Sequence, residues 1–296
     1  MTVHRHNLRM FLALPAIGAA LVATNVAAQE GDPVPQTGQV ELSRAQASID
    51  LGDKFVFYGP GDTRTILVDN WENPPSEADG VLGMVMPAGT SPRDRAWGAI
   101  VTYEDIGWVS SDDARTADYG ALLSKMQADA MRANDLRRRE GYPDVSVVGW
   151  AQEPRYDSVA HSVTWGRELG FQDGGANALH YDLRLLGRYG VLSLNMVGEM
   201  DQLAQMRAAA GDLAGRTSFD AGARYDDFDE ARDEAAGYGI AGLVAAGAGA
   251  AVAKNIGVFA MLAKLAQPIG IALLVLAAAL ATPFRRLFRR KEPVRR

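Results

Sequence analysis

The sequence predicts an α+β domain, a mostly antiparallel sheet with packed helices, followed by a C-terminal transmembrane helix. Three patterns carry this reading. Leu179, Tyr181, Leu183 and Leu185 alternate with His180, Asp182 and Arg184, the period of two of a strand with one buried and one wetter face. Residues 116–139 put Leu122, Met126 and Ala130 on one face at a spacing of four, joined by Tyr119, Leu123 and Ala133, as an amphipathic helix does. Residues 265–284 form an apolar block about as long as a helix needs to cross a ~30 Å hydrocarbon layer.

Residues 1–28 read as a secretory signal. His4, Arg5, His6 and Arg9 form a basic start, Met10 to Val26 an apolar stretch, and Val26-Ala27-Ala28 suits cleavage before Gln29. The alternative is an uncleaved N-terminal anchor. Gln29 to Gly38 is a polar, Pro-rich lead-in. Val40 to Leu42 and Lys54 to Tyr58 read as short strands. Gly59-Pro60-Gly61-Asp62 is a turn, with Asp62 capping a helix through Ile66, Leu67 and Val68 that Asn73-Pro74-Pro75 stops. Val81 to Met86 and Ala96 to Tyr103 are further strands, with Gly107-Trp108-Val109 after a turn. Gly141 and Pro143 end the 116–139 helix, whose last turn holds Arg137, Arg138 and Arg139. Val145 to Trp150 and Val159 to Trp165 follow as strands. Gly187-Arg188-Tyr189-Gly190 turns the 179–185 strand into Val191 to Val197. A helix from Asp201 to Ala214 and a short strand near Phe219 close the domain.

The organisation is then signal 1–28, an extracytoplasmic domain 29–238, a Gly/Ala-rich juxtamembrane helix 239–264, a transmembrane helix 265–284 and a basic tail 285–296. The tail carries seven Lys and Arg against Glu292, a net +6, and positive charge beside a span marks the cytoplasmic side. The expected location is the inner membrane, single-pass, with the main domain outside. The whole chain is −6; signal, residues 239–284 and tail hold +2, +2 and +6, which leaves −16 on residues 29–238. Such an acidic domain excludes nucleic acid as a partner. The expected partners are membrane lipid, through 265–284 and the tail, and a protein partner or a second copy. Apolar residues at 48% and charged residues at 22% exclude a disordered or collagen-like chain. The absence of cysteine excludes disulfides, thiol catalysis and cysteine-held metals.

Several runs resemble a bacterial family described only as uncharacterised membrane-anchored proteins, a domain of unknown function. They include Trp71-Glu72-Asn73-Pro74-Pro75, Gly141-Tyr142-Pro143, Pro154-Arg155-Tyr156-Asp157, His161 to Trp165, Leu186 to Leu192, Tyr225-Asp226-Asp227-Phe228 and Tyr238-Gly239-Ile240. The resemblance covers roughly residues 38–284. Ile106 and Trp108 stand where an acid and a tyrosine are expected, and His180 where an asparagine is. The resemblance implies membrane anchoring and an extracytoplasmic domain, and implies no reaction.

Each candidate site has a plainer reading beside it. Gly237-Tyr238-Gly239-Ile240-Ala241-Gly242 matches G-x-G-x-x-G, but an acidic stretch precedes it and no acid follows within 20 residues, so no cofactor is expected. Gly242, Ala246, Gly249 and Ala253 give small-residue spacing for close helix packing over 240–263. Asp226, Asp227, Asp229, Glu230, Asp233 and Glu234 lack the glycine of an EF-hand loop and read as a solvated, helix-starting stretch, with no metal expected. Asp157 and His161 are the weak catalytic candidates. Trp97, Trp150 and Trp165 read as core, while Trp71 and Trp108 read as ligand or partner contacts. Arg184 and Arg188 near Asp182 read as ion pairs. The expected function is a membrane-anchored extracytoplasmic binding or interaction module without enzyme activity. The alternative is an envelope hydrolase using Asp157 and His161.

Overall fold

The long alternating runs pair into one large antiparallel sheet. In this computed structural model residues 32–71, 73, 75–139, 144–171 and 176–246 are described. The expected signal, the 265–284 span, the basic tail, the helix-ending Gly141 and Pro143, and Gly249 and Ala253 lie outside them. Among the described residues no helix is long and apolar enough to cross a membrane.

Strands β1 (Gln39–Leu42) and β2 (Ala47–Asp50) form a hairpin. Then come β3 (Phe55–Tyr58), α1 (Pro60–Thr65), β4 (Gly83–Pro87), β5 (Gly98–Glu104), β6 (Trp108–Ser110) and α2 (Tyr119–Arg139). Four long strands follow: β7 (Val145–Asp157), β8 (Ser162–Phe171), β9 (Ala178–Leu186) and β10 (Val191–Glu199). The chain continues through α3 (Leu203–Arg216), β11 (Thr217–Phe219), β12 (Ala235–Gly239) and α4 (Ile240–Ala246). The large sheet has the order β3-β4-β5-β10-β9-β8-β7, every pair antiparallel. A smaller sheet is ordered β1-β2-β11, and β6 pairs with β12 in parallel.

One face of the large sheet packs on the small sheet and α3. Val85, Val101, Leu183 and Leu194 meet Leu42 and Ile49 from the hairpin and Met206, Ala210 and Leu213 from α3. The other face carries three apolar clusters. Ile66 and Leu67, in the π-turn after α1, cover Met84, Met86 and Ile100. Leu123 and Ala130 of α2 lie against Val145, Val147 and Leu169. Met126 of α2 joins Ile240, Leu243 and Val244 of α4 over Val163, Trp165 and Val191. Each such side chain contributes roughly 1.5–3 kcal/mol on full burial. The three α4 residues lie beyond the boundary expected at 238, so the packed unit includes them.

Several local expectations shift. The alternation at 179–185 does not leave a wet face: all nine residues of β9 are buried, because α2 and α4 cover the side that carries its polar residues. Strands β7 and β8 extend beyond their apolar cores and meet in a turn at 158–161, so Val159, read as a strand start, is 91% exposed. α1 starts at Pro60 behind Gly59 rather than under an Asp62 cap, since proline's fixed φ suits a first helical position. Asp118 caps α2, its Oδ1 accepting the Ala121 N–H at 2.8 Å. β2 and β12 lack alternating apolar signals and take shape only by pairing. The 226–234 stretch forms turns rather than a helix start.

Candidate functional site

Three register shifts in the β7–β8 ladder, between Val147 and Arg155, bend the end of β7. That end and α3 frame an open cleft of about 640 Å³. Its sheet wall holds Gln152, Arg155, Asp157, Ser162, Thr164 and Tyr181, and its helix wall Arg207, Ala210, Gly211, Ala214 and Gly215. Cross-strand pairing of Arg155 with Thr164 and of Asp157 with Ser162 puts these side chains on one sheet face. Small residues keep the helix wall low: an added Cβ at Gly211 or Gly215 meets nothing within 4 Å. Gln152 Nε2 donates to Thr164 Oγ1 at 3.2 Å. Arg155 and Arg207 are exposed and pair with no acid among the described residues. Most other guanidiniums here do pair, as Arg188 does with Asp233 at 2.7 Å.

Asp157 and His161 are close in sequence but serve different partners. The Asp157 carboxylate accepts the N–H groups of Val159 at 2.8 Å and Ala160 at 3.1 Å. Those backbone bonds hold its pKa below the usual carboxylate value. His161 sits at φ +42°. Its Nδ1 meets Tyr156 Oη at 3.2 Å, and its Nε2 meets Asp226 Oδ2 at 3.2 Å. The acid that faces the imidazole therefore comes from 65 residues downstream, which no local motif announces. Its ring stacks on Tyr225 at 4.5 Å; Tyr225 stacks on Trp108 at 5.0 Å and Trp108 on Phe228 at 4.4 Å.

Trp108 thus stacks with both Tyr225 and Phe228, and its Nε1 donates to Tyr225 O at 3.2 Å. Trp71 donates to Pro92 O at 2.9 Å and packs against the Met84 cluster. Both tryptophans, expected as ligand or partner contacts, are partly buried and donate to backbone carbonyls. The glycine-rich run does open α4 after a strand, β12, which sequence reading missed. Its helix start is filled from within: Asp113 accepts the N–H of Ile240 at 2.8 Å and of Ala241 at 3.1 Å. A Cβ at Gly239 would lie 2.5 Å from that carboxylate, so glycine is there for Asp113, not for a phosphate. Gly242 is small for the Tyr238 side chain, 2.5 Å from an added Cβ. Ala246 ends α4.

The acidic stretch is spent on turns. Asp227 accepts the N–H groups of Gly222 and Arg224, Asp229 accepts that of Ala231, and Asp233 holds Arg188. Among the described residues no group of three acids or histidines is arranged to hold a metal.

A second polar constellation lies on the opposite sheet face. Arg167, His180, Asp182 and Arg184 have side chains at most 2% exposed. Arg167 Nη2 donates to Asp182 Oδ2 and Arg184 Nη2 to Asp182 Oδ1, both at 3.0 Å. Burial pushes the Asp182 carboxyl up, but His180, Arg167 and Arg184 outweigh it and hold the carboxyl down. Burial pushes the His180 imidazole down to about 4 against the pull of Asp182, so it is neutral. Burial, with Glu104 nearby, lifts the Tyr238 hydroxyl to about 12. The expected Arg184–Asp182 ion pair is present; His180, Asp182 and Arg184, which alternation placed on the wetter face, are buried, and Arg167 of β8 joins them.

No curated protein matches the chain. The solution structure of a cyanobacterial PsbP (CyanoP) from Synechocystis sp. PCC 6803 is similar at 10% identity and a TM-score of 0.34. That similarity covers 70% of this chain and 99% of the other. Residues 34–280 match the family described as protein of unknown function, DUF2167. With that match spanning most of its length, the chain belongs to the DUF2167 family.

Proposed function

We propose that this chain is a binding module anchored in the inner membrane of the bacterial envelope. Its main domain lies outside the cytoplasm, and its cleft takes an anionic ligand. The observation that carries the ligand class is the pair Arg155 and Arg207, both without acid partners, lining one cleft of a domain whose formal charge is −16 over residues 29–238; the one carboxylate on the cleft wall, Asp157, is engaged by the N–H groups of Val159 and Ala160. An acidic surface repels anions except where unpaired guanidiniums gather. The hydroxyl and amide groups of Ser162, Thr164, Tyr181 and Gln152 add hydrogen bonds. The anchoring is supported by the 265–284 block and the +6 tail beside it. The small residues Ala246, Gly249 and Ala253 support, by their spacing in the sequence, a helix contact with a partner or a second copy.

Two measurements test this. Full-length protein in neutral detergent is titrated with fluorescein-labelled hexaglutamate and read by anisotropy. Wild type binds, and Arg155→Ala with Arg207→Ala weakens binding at least about tenfold. Gly211→Trp, placed in open space, blocks the cleft and leaves the unfolding temperature unchanged. Equal binding by all three proteins refutes the cleft. For topology, a tag after Arg296 should survive protease added outside an intact inner membrane, while the main domain is digested; loss of the tag refutes the single crossing.

A further inference from the structure

The cleft between β7 and α3 offers more than charge. Gln152 Nε2 donates to Thr164 Oγ1 at 3.2 Å, and neither side chain has another hydrogen-bond partner among the described residues. The carboxamide has two N–H donors and an acceptor oxygen; the hydroxyl has one donor and two lone pairs. With Nε2 turned to the hydroxyl, Gln152 Oε1 is left to accept and the Thr164 O–H to donate. With the amide turned over, Thr164 donates to Oε1, Nε2 is left to donate and Oγ1 to accept. In both arrangements the pair shows one donor and one acceptor side by side, in the cleft that both residues line.

A simple anion uses donors only, and the guanidiniums of Arg155 and Arg207 supply those. A donor beside an acceptor matches a group that itself carries both. An extended peptide does so at every second residue, because the N–H and C=O of one residue point to the same side of the strand. The fold already contains this pairing. Asn134 Nδ2 donates to Val145 O and Asn134 Oδ1 accepts the Val145 N–H, both at 2.9 Å, on the edge strand β7. The helix wall lets a main chain come close, since Gly211, Ala214 and Gly215 put no long side chain in its way. A nucleobase would stack on an open aromatic face. Of the aromatic residues lining the cleft, Tyr181 is 1% exposed and Tyr156 packs with the Val163 and Trp165 cluster on the other sheet face.

We propose that the ligand of the cleft is an acidic peptide in extended conformation. Its carboxylates pair with Arg155 and Arg207, and the N–H and C=O of one of its residues bond to the Gln152–Thr164 pair. This deepens the anion-binding reading of the cleft and rests on it.

The test uses full-length protein in neutral detergent and two fluorescein-labelled probes read by anisotropy. One is hexaglutamate. The other carries the same six carboxylates on a backbone whose amide N–H groups are replaced by ester oxygens. Wild type should bind the amide hexamer about tenfold more tightly than the ester hexamer, as one unmatched hydrogen bond predicts. Gln152→Met with Thr164→Val replaces both partners by apolar groups of similar shape, a change that folded proteins tolerate. In that variant the amide hexamer should weaken and the preference for it vanish. Independently of the variant, one amide of 15N-labelled hexaglutamate bound to wild type should exchange its hydrogen more slowly than the others. Equal binding of the two hexamers by wild type, a preference unchanged in the variant, or uniform exchange overturns the proposal and leaves the anionic cleft standing. Binding of neither hexamer overturns the anionic cleft and the proposal with it. Trigalacturonate, which carries its carboxylates on a sugar backbone, is the competitor. Displacement of the probe by less trigalacturonate than unlabelled hexaglutamate assigns the cleft to an acidic saccharide and overturns the peptide.

Discussion

Acidification from pH 7 to pH 5 should destabilise the folded domain through His180. The unfolded imidazole titrates near 6.5 and the buried one at about 4. Between those values the unfolded chain binds a proton that the folded chain excludes. Stability is therefore fully present above the unfolded pKa, falls as pH drops through it, and levels off near the folded pKa. At pH 5 the unfolded histidine is about 1.5 units below its own pKa, and one unit is about 1.4 kcal/mol, so the loss is about 2 kcal/mol. The groups facing the ring are Arg167, Asp182 and Arg184. Asp182, held below its ordinary value, titrates outside this window. The assay is urea unfolding of residues 29–246 at several pH values, followed by tryptophan fluorescence, for wild type and His180→Asn. An equal loss in the two proteins would refute the argument, since asparagine has no proton to exchange.

Other outcomes follow from the packing. Asp113→Ala removes two charge-assisted bonds to the start of α4 and should cost about 1–2 kcal/mol in thermal or urea unfolding; Asp113→Asn should cost less. Ending the fragment at 238 instead of 246 strips Ile240, Leu243 and Val244 from the core, a loss of several kcal/mol at roughly 1.5–3 kcal/mol per side chain. The shorter fragment should melt well below the longer one. Trp108→Ala opens the stack between Tyr225 and Phe228 and should cost about 3 kcal/mol, while Trp108→Phe should recover most of it.

Much of the fold was legible because local patterns and tertiary packing agree there. The alternation in β9, the turn into β10 and the apolar face of α2 each bury the residues that the pattern selects. Other elements have no local signal. β2 and β12 exist because β1, β11 and β6 lie beside them and take up their backbone hydrogen bonds. The glycine-rich run illustrates the same limit: its spacing is visible, but its purpose depends on Asp113, more than 120 residues earlier. The acid beside His161 is equally remote.

The family, the antiparallel α+β class and the Arg184–Asp182 pair were determined by the order of residues, since short-range periodicity and motif runs encode them. The tertiary structure alone decided that the polar side of β9 is sealed, that the acid bonded to His161 is Asp226, and that Arg155 and Arg207 share a cleft. Period-two alternation says which residues share a sheet face, but not what comes to lie on that face. Burial, pKa and pairing are set by that cover, and α2, α3 and α4 supply it from distant parts of the chain.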